Sequence, residues 1–421
     1  MRVLLIGKFH YKRGGSETYR FGLAEGLFAK GHEVIYFAMK DERNIPCKEE
    51  KYFVSNVDYN ASNKSVIGKV REGLNVFYSR EAKANMEALL KAEKPDIAHI
   101  GLIHRQITFS VVDALKNANI PVVMTMHDLI FACPNYIMLD SQGRLCDDCI
   151  TRSVFSCVKK RCVKRSMAKS LLGVTENRYL KWKRHYDKID MYIAETEAYQ
   201  SMMIKSRFTR SPITTRLNPL AKSQVYSFNR NYEDYILFFG RFSRERNLLL
   251  LLRAHQLMGQ KYRMILVGAG PLEEEMRNLI SKEGLVNVEL PGPIYGDELE
   301  NILEKSRVLV FPSEWYENCP YAVMQAMAKG KVVVASRSGG LTQMIDDGKT
   351  GFLYERGNLD DLAAKLDNVM KMDKESYEVM SEHIVEDAKK KFYWENYMDW
   401  LLPEYERLLS EKHINQKSEV K

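Results

Sequence analysis

The chain has 421 residues, of which 45% are hydrophobic and 28% charged, a composition that excludes a disordered chain, a collagen-like repeat and a small disulfide scaffold. The formal charge of +8 is unevenly distributed, because residues 151–186 contain eleven Lys or Arg and one acidic residue, a local charge of +10 that leaves −2 for the rest. This basic segment indicates an anionic partner, which a membrane, a nucleic acid or a phosphorylated substrate would supply.

The sequence predicts neither a membrane span nor a secretion signal. No apolar run approaches the roughly 18 residues that span a bilayer, and the apolar run at 2–6 is too short for a signal peptide. We therefore expect a cytoplasmic protein. Five of its seven cysteines lie between Cys133 and Cys162, and in a reducing compartment such a cluster favours metal binding over disulfides.

In the first half of the chain, short aliphatic runs alternate with stretches of helical periodicity, as in buried parallel strands joined by helices. The predicted strands are 2–6, 33–37, 96–100, 121–126 and 190–194. The predicted helices are one that follows Gly14-Gly15 and two at about 72–93 and 108–118. Residues 134–185 interrupt the alternation as an insertion that carries the cysteines and the basic segment.

A polar linker at 218–234 precedes a second alternation of the same kind. Its predicted strands are 235–239, 263–267, 307–311, 331–335 and 351–354. Its predicted helices are 248–258, one that starts at Glu273, 299–305, 321–329 and 341–345, followed by an amphipathic helix at 392–409. We therefore predict an α/β protein with Rossmann-like, doubly wound domains at 1–217 and 218–391 and a final segment at 392–421. Two such domains facing each other across a cleft would bind a ligand at the carboxyl ends of their strands.

Two strand-end loops carry groups suited to phosphate. Gly14 and Gly15 precede a helix start, where backbone N–H groups and the helix dipole favour an anion, although a tight turn would use the same glycines. Arg241 and Arg246 follow strand 235–239 and suit a diphosphate that leaves with negative charge, although a solvated pair would look the same. No dinucleotide motif follows the first strand and there is no P-loop, which argues against a nicotinamide-dependent oxidoreductase.

The segment 312–320 is the most informative, because it joins a buried strand to a helix. Glu317 would lie in the loop before that helix and Gln325 in its second turn, so that both could bind hydroxyl groups beside the N–H groups of the helix start. His127 follows strand 121–126, where an imidazole is either structural or in contact with a ligand.

A series of short motifs runs through the chain in a fixed order. They are Gly14-Gly15-Ser16-Glu17, Gly31-His32-Glu33-Val34, His127-Asp128, Gly240-Arg241-Phe242-Ser243 with Glu245-Arg246, Gly268-Ala269-Gly270-Pro271, Pro312-Ser313-Glu314 through Gly330, Gly339-Gly340 and Asp347-Gly348-Lys349-Thr350-Gly351-Phe352-Leu353. That order resembles the family 4 retaining glycosyltransferases of the GT-B fold and covers nearly the whole chain apart from the insertion and the last residues. The resemblance implies a nucleotide-sugar donor (a UDP-, GDP- or dTDP-sugar) held mainly by the C-terminal domain, and a final helix that crosses back to the first domain.

The resemblance also implies residue roles. Glu317 would bind hydroxyls of the donor sugar and Gln325 the nucleotide ribose, whereas Arg241 and Arg246 would bind the diphosphate. His127 would lie near the donor sugar. The other donor-binding residues implied are Gly14, Gly15, Gly268, Gly270, Asn318, Cys319, Pro320, Tyr321, Gly339 and Gly340.

Four positions depart from the family's pattern. Gln325 and Gln343 are neutral where an acid is usual or common, Arg246 replaces the usual lysine, and Asn247 replaces a usual glycine. These departures keep a second hypothesis open, a catalytically weakened GT-B protein that scaffolds a partner enzyme. We favour an active enzyme because the positive charge that would stabilise the leaving group is retained.

The resemblance implies sugar transfer with retention at the anomeric carbon. No pair of carboxylates stands out for a double displacement, so we expect front-face attack by the acceptor hydroxyl while Arg241 and Arg246 stabilise the departing diphosphate. The sequence has no Asp-x-Asp, so no catalytic metal is implied. The expected acceptor is a polyprenyl-diphosphate-linked or other oligosaccharide in bacterial surface polysaccharide synthesis (capsule, O-antigen or exopolysaccharide).

Four cysteines in the insertion have the spacing of a closed structural zinc site, although free thiols or two disulfides would also account for them. They are Cys146, Cys149, Cys157 and Cys162. Cys133 is expected to lie outside this site.

The basic segment interleaves cations with Leu, Trp and Tyr, which suits a helix lying on an anionic membrane, although a solvated helix face is the alternative. The predicted membrane-facing cations are Lys164, Arg165, Lys169, Lys181, Lys183 and Arg184. No nucleic-acid motif accompanies the charge, so nucleic acid is not an expected partner. We therefore expect a cytoplasmic protein held peripherally at the inner face of the cell membrane.

Overall fold

The computed structural model describes residues 1–56 and 75–419 and divides into two compact units. Unit 1 comprises Met1–Lys222 and Trp394–Lys421, and unit 2 comprises Ser223–Tyr393. The predicted boundaries after residues 217 and 391 lie five and two residues from this division. The first residues of the helix predicted at 72–93 lie outside the described residues.

Unit 1 contains a parallel sheet of six strands. They are β1 (Arg2–Ile6), β2 (Glu33–Phe37), β3 (Ile97–Ile100), β4 (Val122–Met126), β5 (Met191–Ala194) and β6 (Ile213–Thr215). The spatial order is β2-β1-β3-β4-β5-β6. Val3 of β1 pairs with Val34 on one side and Ile97 on the other, and all three side chains are buried, as in a sheet that is covered on both faces.

Seven helices accompany this sheet in the described part of unit 1 before residue 222. They are α1 (Gly15–Ala29), α2 (Arg80–Glu93), α3 (Ser110–Asn117), α4 (Asp148–Thr151), α5 (Ser156–Lys159), α6 (Met167–Trp182) and α7 (Glu197–Ser206). Three begin at a side-chain cap, since Ser79, Ser166 and Thr196 each accept a backbone N–H three residues on, which satisfies an otherwise unpaired donor. The predicted insertion therefore folds as two short helices followed by α6.

Unit 2 repeats the architecture. Its strands are β7 (Tyr235–Phe239), β8 (Arg263–Val267), β9 (Val288–Gly292), β10 (Val308–Phe311), β11 (Val332–Ser336) and β12 (Phe352–Tyr354), in the order β12-β11-β10-β7-β8-β9. Its helices are α8 (Leu248–Leu257), α9 (Glu273–Lys282), α10 (Gly296–Lys305), α11 (Tyr321–Ala328), α12 (Leu341–Met344), α13 (Leu359–Lys371) and α14 (Lys374–Phe392). The order reverses between β10 and β7, which places a crevice for a ligand at the carboxyl ends of those two strands.

The last helix, α15 (Trp394–Glu419), packs on unit 1, which confirms the predicted return of the chain. It starts two residues later than predicted, because Phe392 ends α14. It also runs ten residues further than predicted. Gly26 allows the close approach to α1, since a Cβ there would lie 2.5 Å from Met398 Sδ. The Tyr19 and Tyr397 hydroxyls are 2.7 Å apart, so α15 is joined to unit 1 by a buried hydrogen bond.

The fold confirms the predicted α/β GT-B class. The sequence-based prediction missed β6, β9, α4, α5, α7, α13 and α14. The two missed strands lie at sheet edges and have half-exposed or exposed side chains, so they lack the continuous apolar run of a central strand. Among residues 1–56 and 75–419, no helix is both long enough and apolar enough to cross a bilayer.

Candidate functional site

In unit 1, His127 lies at the sheet edge where the loops after β3, β4 and β5 meet. Its Nδ1 is hydrogen-bonded to the Glu195 carboxylate, and both side chains are buried. A Cβ on Gly101 would lie 3.4 Å from His127 Nε2, so the glycine keeps space open in front of that nitrogen. Because Nδ1 is engaged, Glu195 fixes the orientation of the ring and directs Nε2 into a small cavity that Gly7, Gly101 and Lys8 also line.

Glu195 is a site residue that the sequence analysis missed. It follows β5 directly, as His127 follows β4, and parallel strand ends meet at one edge. An acid immediately after a predicted strand was the signal that could have identified it.

Gly14 and Gly15 lie at the start of α1, as predicted. Gly14 is the N-cap in an extended conformation, and its carbonyl accepts the Thr18 N–H at 3.0 Å. Glu17 is buried in the first turn and is held by Ser16 Oγ at 3.0 Å. The positive end of the α1 dipole therefore already faces a carboxylate, which weakens the case for a phosphate at this helix start.

In unit 2, Glu317 is the centre of the loop after β10. Its side chain is 4% exposed and pairs with Arg246, and its Oε1 also accepts hydrogen bonds from Ser313 Oγ and Trp315 Nε1. The Arg246 guanidinium lies 4.8 Å from the centre of the Phe311 ring. The carboxylate is thus fixed by three donors, and Arg246 retains further N–H groups for an anion.

Arg241 and Asn247, which precede and follow Arg246 in the chain, differ in their surroundings. Arg241, the other predicted diphosphate ligand, is exposed at the end of β7. Asn247 has a φ of 50°, a left-handed conformation that asparagine tolerates better than most residues. Its Nδ2 donates to Glu314 Oε1 at 2.5 Å. This geometry explains how an asparagine can stand where the family commonly has glycine.

Two glycine loops in unit 2 are packed against neighbouring backbone. A Cβ on Gly268 would lie 1.9 Å from the Gly240 carbonyl oxygen, and one on Gly270 would lie 2.3 Å from that of Phe242. A Cβ on Gly339 would lie 2.2 Å from the Glu317 carbonyl oxygen, and Gly340 N–H donates to the same oxygen at 2.8 Å. These glycines therefore shape the loops that carry the predicted donor-binding residues.

The remaining predicted donor-binding residues lie at the start of α11. Pro320 is the N-cap and Tyr321 the first helical residue, as expected. Asn318 and Cys319 are buried. Gln325 is half-buried in the second turn of the helix, the position predicted for a ribose ligand.

The structure describes the surroundings of the five clustered cysteines. Cys157 and Cys162 are buried in one cluster, against which Cys149 packs. The buried Cys133 lies beside Cys149, which is the main cause of its lowered pKa. Cys133, expected outside the group, therefore lies within it. Lys160 Nζ contacts Cys146 Sγ at 3.2 Å, and Cys146 also interacts electrostatically with Cys162.

Asp148 holds that ammonium at 2.7 Å. Across the described residues, no three or more His, Cys, Asp or Glu side chains converge as metal ligands. The predicted zinc site is therefore not shown by the structure.

The basic segment forms α6 and its flanking turns. Met167, Leu171 and Trp182 are 53%, 46% and 74% exposed, so the helix presents large apolar side chains to solvent. The exposed cations beside them are Lys164, Arg165, Lys169, Lys183 and Arg184. Lys181, predicted to face a membrane, is half-buried with Nζ 3.4 Å from the Ser206 carbonyl oxygen, and burial lowers its pKa.

Two family models match consecutive parts of the chain. Residues 13–220 match the model described as Glycosyltransferase Family 4, and residues 224–390 match the model described as Glycosyl transferases group 1. The two models meet at the division between the two units. Each unit therefore matches a glycosyltransferase family model of its own.

Curated relatives and solved structures agree with these matches. A protein described as an uncharacterized 42.6 kDa protein in the cps region of Klebsiella pneumoniae is 23% identical over 82% of this chain and 87% of its own length. Sulfoquinovosyl transferase of Arabidopsis thaliana is 32% identical over 37% of this chain, which spans 30% of the plant protein. The crystal structure of Anabaena HepE in complex with UDP has a TM-score of 0.68 at 16% identity and covers 97% of this chain and all of that one.

Proposed function

Because the chain belongs to family 4 of the glycosyltransferases and has the GT-B fold, we propose that it is a retaining enzyme that transfers a sugar from a nucleotide-diphosphate donor. The observation that supports this most directly is the buried pair of Glu317 and Arg246 at the strand ends of unit 2. A fixed carboxylate suits sugar hydroxyls, and a guanidinium beside it suits a diphosphate.

In the proposed reaction, the bond between the anomeric carbon and the diphosphate oxygen breaks while the acceptor oxygen bonds to the same carbon on the same face. The acceptor hydroxyl gives its proton to the leaving phosphate. Arg246 and Arg241 stabilise the negative charge on the departing diphosphate. Glu317 holds the donor sugar, and Gln325 hydrogen-bonds the ribose. His127, whose ring is oriented by Glu195, contacts the donor sugar near the reacting carbon.

The competing proposal is a catalytically weakened GT-B protein that acts as a scaffold for a partner enzyme. Its support is the neutral Gln325 and Gln343. A thermal-shift screen of UDP, GDP, dTDP and their sugars against the purified chain identifies the base, because a ligand that binds the folded state raises its melting temperature. Donor hydrolysis or transfer then establishes an enzyme. Nucleotide binding without turnover would favour the scaffold, and a folded chain that binds no nucleotide contradicts the proposed transferase.

We further propose that the acceptor is a polyprenyl-diphosphate-linked or other oligosaccharide of bacterial surface polysaccharide, reached from the inner face of the cell membrane. The support is the outer face of α6, where Leu171 and Trp182 stand exposed among cations. Amphipathic helices with basic polar faces bind anionic lipid in this way.

A structural zinc ion in the insertion is a separate proposal. Cys149, Cys157 and Cys162 pack in one cluster, and Cys133 lies beside Cys149. Bound zinc would draw these four sulfurs together into a closed site, because the described side chains do not converge as ligands by themselves. Elemental analysis of the purified chain and of Cys149→Ser tests it, with Cys47→Ser as the control because Cys47 lies outside the insertion. About one zinc per chain, lost in Cys149→Ser only, supports the proposal, and no zinc in any of the three contradicts it.

A further inference from the structure

Unit 1 contains a second cavity, of about 540 Å³, that the proposed donor site does not use. The cations on its wall are Lys8, Arg13, Arg43, Arg105, Lys164 and Lys169. Among the described residues its lining includes one acid, Asp41, and four large apolar side chains, Phe9, Val76, Val163 and Leu172. The wall is therefore strongly basic with an apolar part.

At least two of these cations are paired with acids, and the described lining contains six cations and one acid. Arg43 binds Asp41 at 2.8 Å, and Arg105 binds the buried Glu176 at 2.9 Å. Arg13 lies 4.2 Å above the Phe9 ring, a contact that positions the guanidinium without neutralising it. The cavity therefore attracts an anion.

Lys8 connects this cavity to the catalytic edge of unit 1. It lines both the basic cavity and the small cavity in front of His127. The charged groups that face it are Asp128, Arg105, Glu176 and Glu17. Burial lowers the pKa of Lys8 to about 8 despite the carboxylate of Asp128, so an anion in the cavity would stabilise its charged form.

We propose that the basic cavity binds the phosphate or diphosphate of the acceptor and so presents the acceptor sugar to His127. Its volume lies within the range of about 300–1,000 Å³ that is usual for small-molecule sites. The cations would bind the phosphate oxygens, and the apolar wall would pack against the sugar or the first isoprenoid unit. The inference rests on the proposed glycosyl transfer and assigns a binding site to the phosphate of its second substrate.

Calorimetric titration of the full chain with geranyl diphosphate tests the site directly. The double variant Arg13→Gln/Lys169→Gln removes two cavity cations, and each hydrogen bond to a charged group is commonly worth tenfold in affinity. We therefore expect affinity to fall by at least about tenfold. The matched control is Lys12→Gln/Lys159→Gln, which makes the same charge change at exposed positions of the same loop and basic segment outside the cavity.

Equal weakening by both double variants would overturn the proposal, because it would show attraction to the net charge alone. Absence of geranyl diphosphate binding to the wild-type chain, together with absence of glucose 1-phosphate binding, would also overturn it. All four substituted residues are exposed, so we expect each variant to keep the wild-type circular dichroism spectrum and melting curve.

Two further arms identify the source of the phosphate and separate this inference from the proposed function. Tighter binding of geranyl diphosphate than of inorganic pyrophosphate supports a lipid-linked acceptor, and tighter binding of glucose 1-phosphate supports a soluble sugar phosphate. Donor hydrolysis is measured in parallel. If donor turnover is present and the cavity variants bind geranyl diphosphate like the control, this inference fails alone. If no donor binds but the cavity does, only the proposed transfer fails.

Lys8 provides an independent readout through pH. Phosphates are fully ionised above about pH 7, whereas Lys8 loses its proton as the pH rises through about 8. Affinity for geranyl diphosphate is therefore expected to decline above pH 8. In Lys8→Gln the affinity should be lower and independent of pH in this range. An unchanged decline in Lys8→Gln would overturn the role of this lysine.

Discussion

At the scale of single residues, the pairing of Arg246 with Glu317 makes one prediction for stability and one for activity, which the same variant tests. The Glu317 side chain is 4% and the Arg246 side chain 21% exposed. Arg246→Ala leaves a buried carboxylate without its charged partner, a loss that costs about 3–5 kcal/mol in such pairs. We therefore expect a lower free energy of unfolding in urea and loss of donor turnover. Arg246→Lys keeps the positive charge and should retain part of the stability and part of the donor turnover.

Arg244→Ala is the control for that change. Arg244 lies in the same turn, is exposed and pairs with the half-exposed Glu275 at 3.2 Å, so its removal should change stability by no more than about 0.5 kcal/mol. If Arg246→Ala is as stable as Arg244→Ala, the ion pair does not hold Glu317 in solution.

Glu195 is predicted to act on catalysis through His127. Glu195→Gln keeps the size of the side chain but removes the charge that fixes Nδ1, and hydrogen bonds to charged groups are worth about 1.5–3 kcal/mol. We expect kcat for transfer to fall by about ten- to a hundredfold with little change in the KM of the donor. A change in KM alone would assign Glu195 to donor binding. Glu25→Gln, an exposed acid on α1, should match the wild type.

At the scale of secondary structure elements, the loop after β8 depends on a glycine. Gly268 has a φ of +145°, and a Cβ there would lie 1.9 Å from the Gly240 carbonyl oxygen. Gly268→Ala therefore forces the loops after β7 and β8 apart and should destabilise the chain by at least about 2 kcal/mol, measured as a lower urea midpoint. Gly22→Ala is the control, since no atom lies within 4 Å of a Cβ in that position of α1. Equal midpoints for the two variants would contradict the close packing of these loops.

The sequence predicts elements well where their local pattern is strong. β1, β7 and β8 have the predicted bounds, because their apolar runs are continuous and end at a glycine. α11 begins at Tyr321 after Pro320, as its proline predicts. The edge strands β6 and β9 lack such runs and were missed.

Contacts between distant residues were not predictable in the same way. The sequence placed Glu317 and Arg246 in one site but did not pair them, since 71 residues separate them. The sequence likewise grouped Cys146 with the other cysteines by their spacing, but the spacing did not reveal its contact with Lys160. Glu195 reaches His127 across two neighbouring strands, a contact that depends on the order of the strands in the sheet.

At the scale of the whole molecule, the positive charge concentrated in residues 151–186 divides between two surfaces. Lys164 and Lys169 line the basic cavity, whereas Lys183 and Arg184 are exposed at the far end of α6 beside Trp182. Lys181 is turned toward Ser206. A single segment thus carries the cations of both proposed functions, binding of the acceptor phosphate and contact with the membrane.

This division makes membrane binding separable from acceptor binding. Lys183→Glu/Arg184→Glu reverses charge at the end of α6 and leaves the cavity wall unaltered, so it should weaken cosedimentation with vesicles of anionic phospholipid by about tenfold or more. The expectation follows from about 1 kcal/mol per cation near such a surface, doubled by charge reversal. Binding should also fall as salt is raised from 50 to 300 mM, because screening shortens the reach of these charges. Geranyl diphosphate affinity should stay at the wild-type value. Equal sedimentation of the variant and the wild type, or equal binding to neutral vesicles, would contradict electrostatic docking through α6.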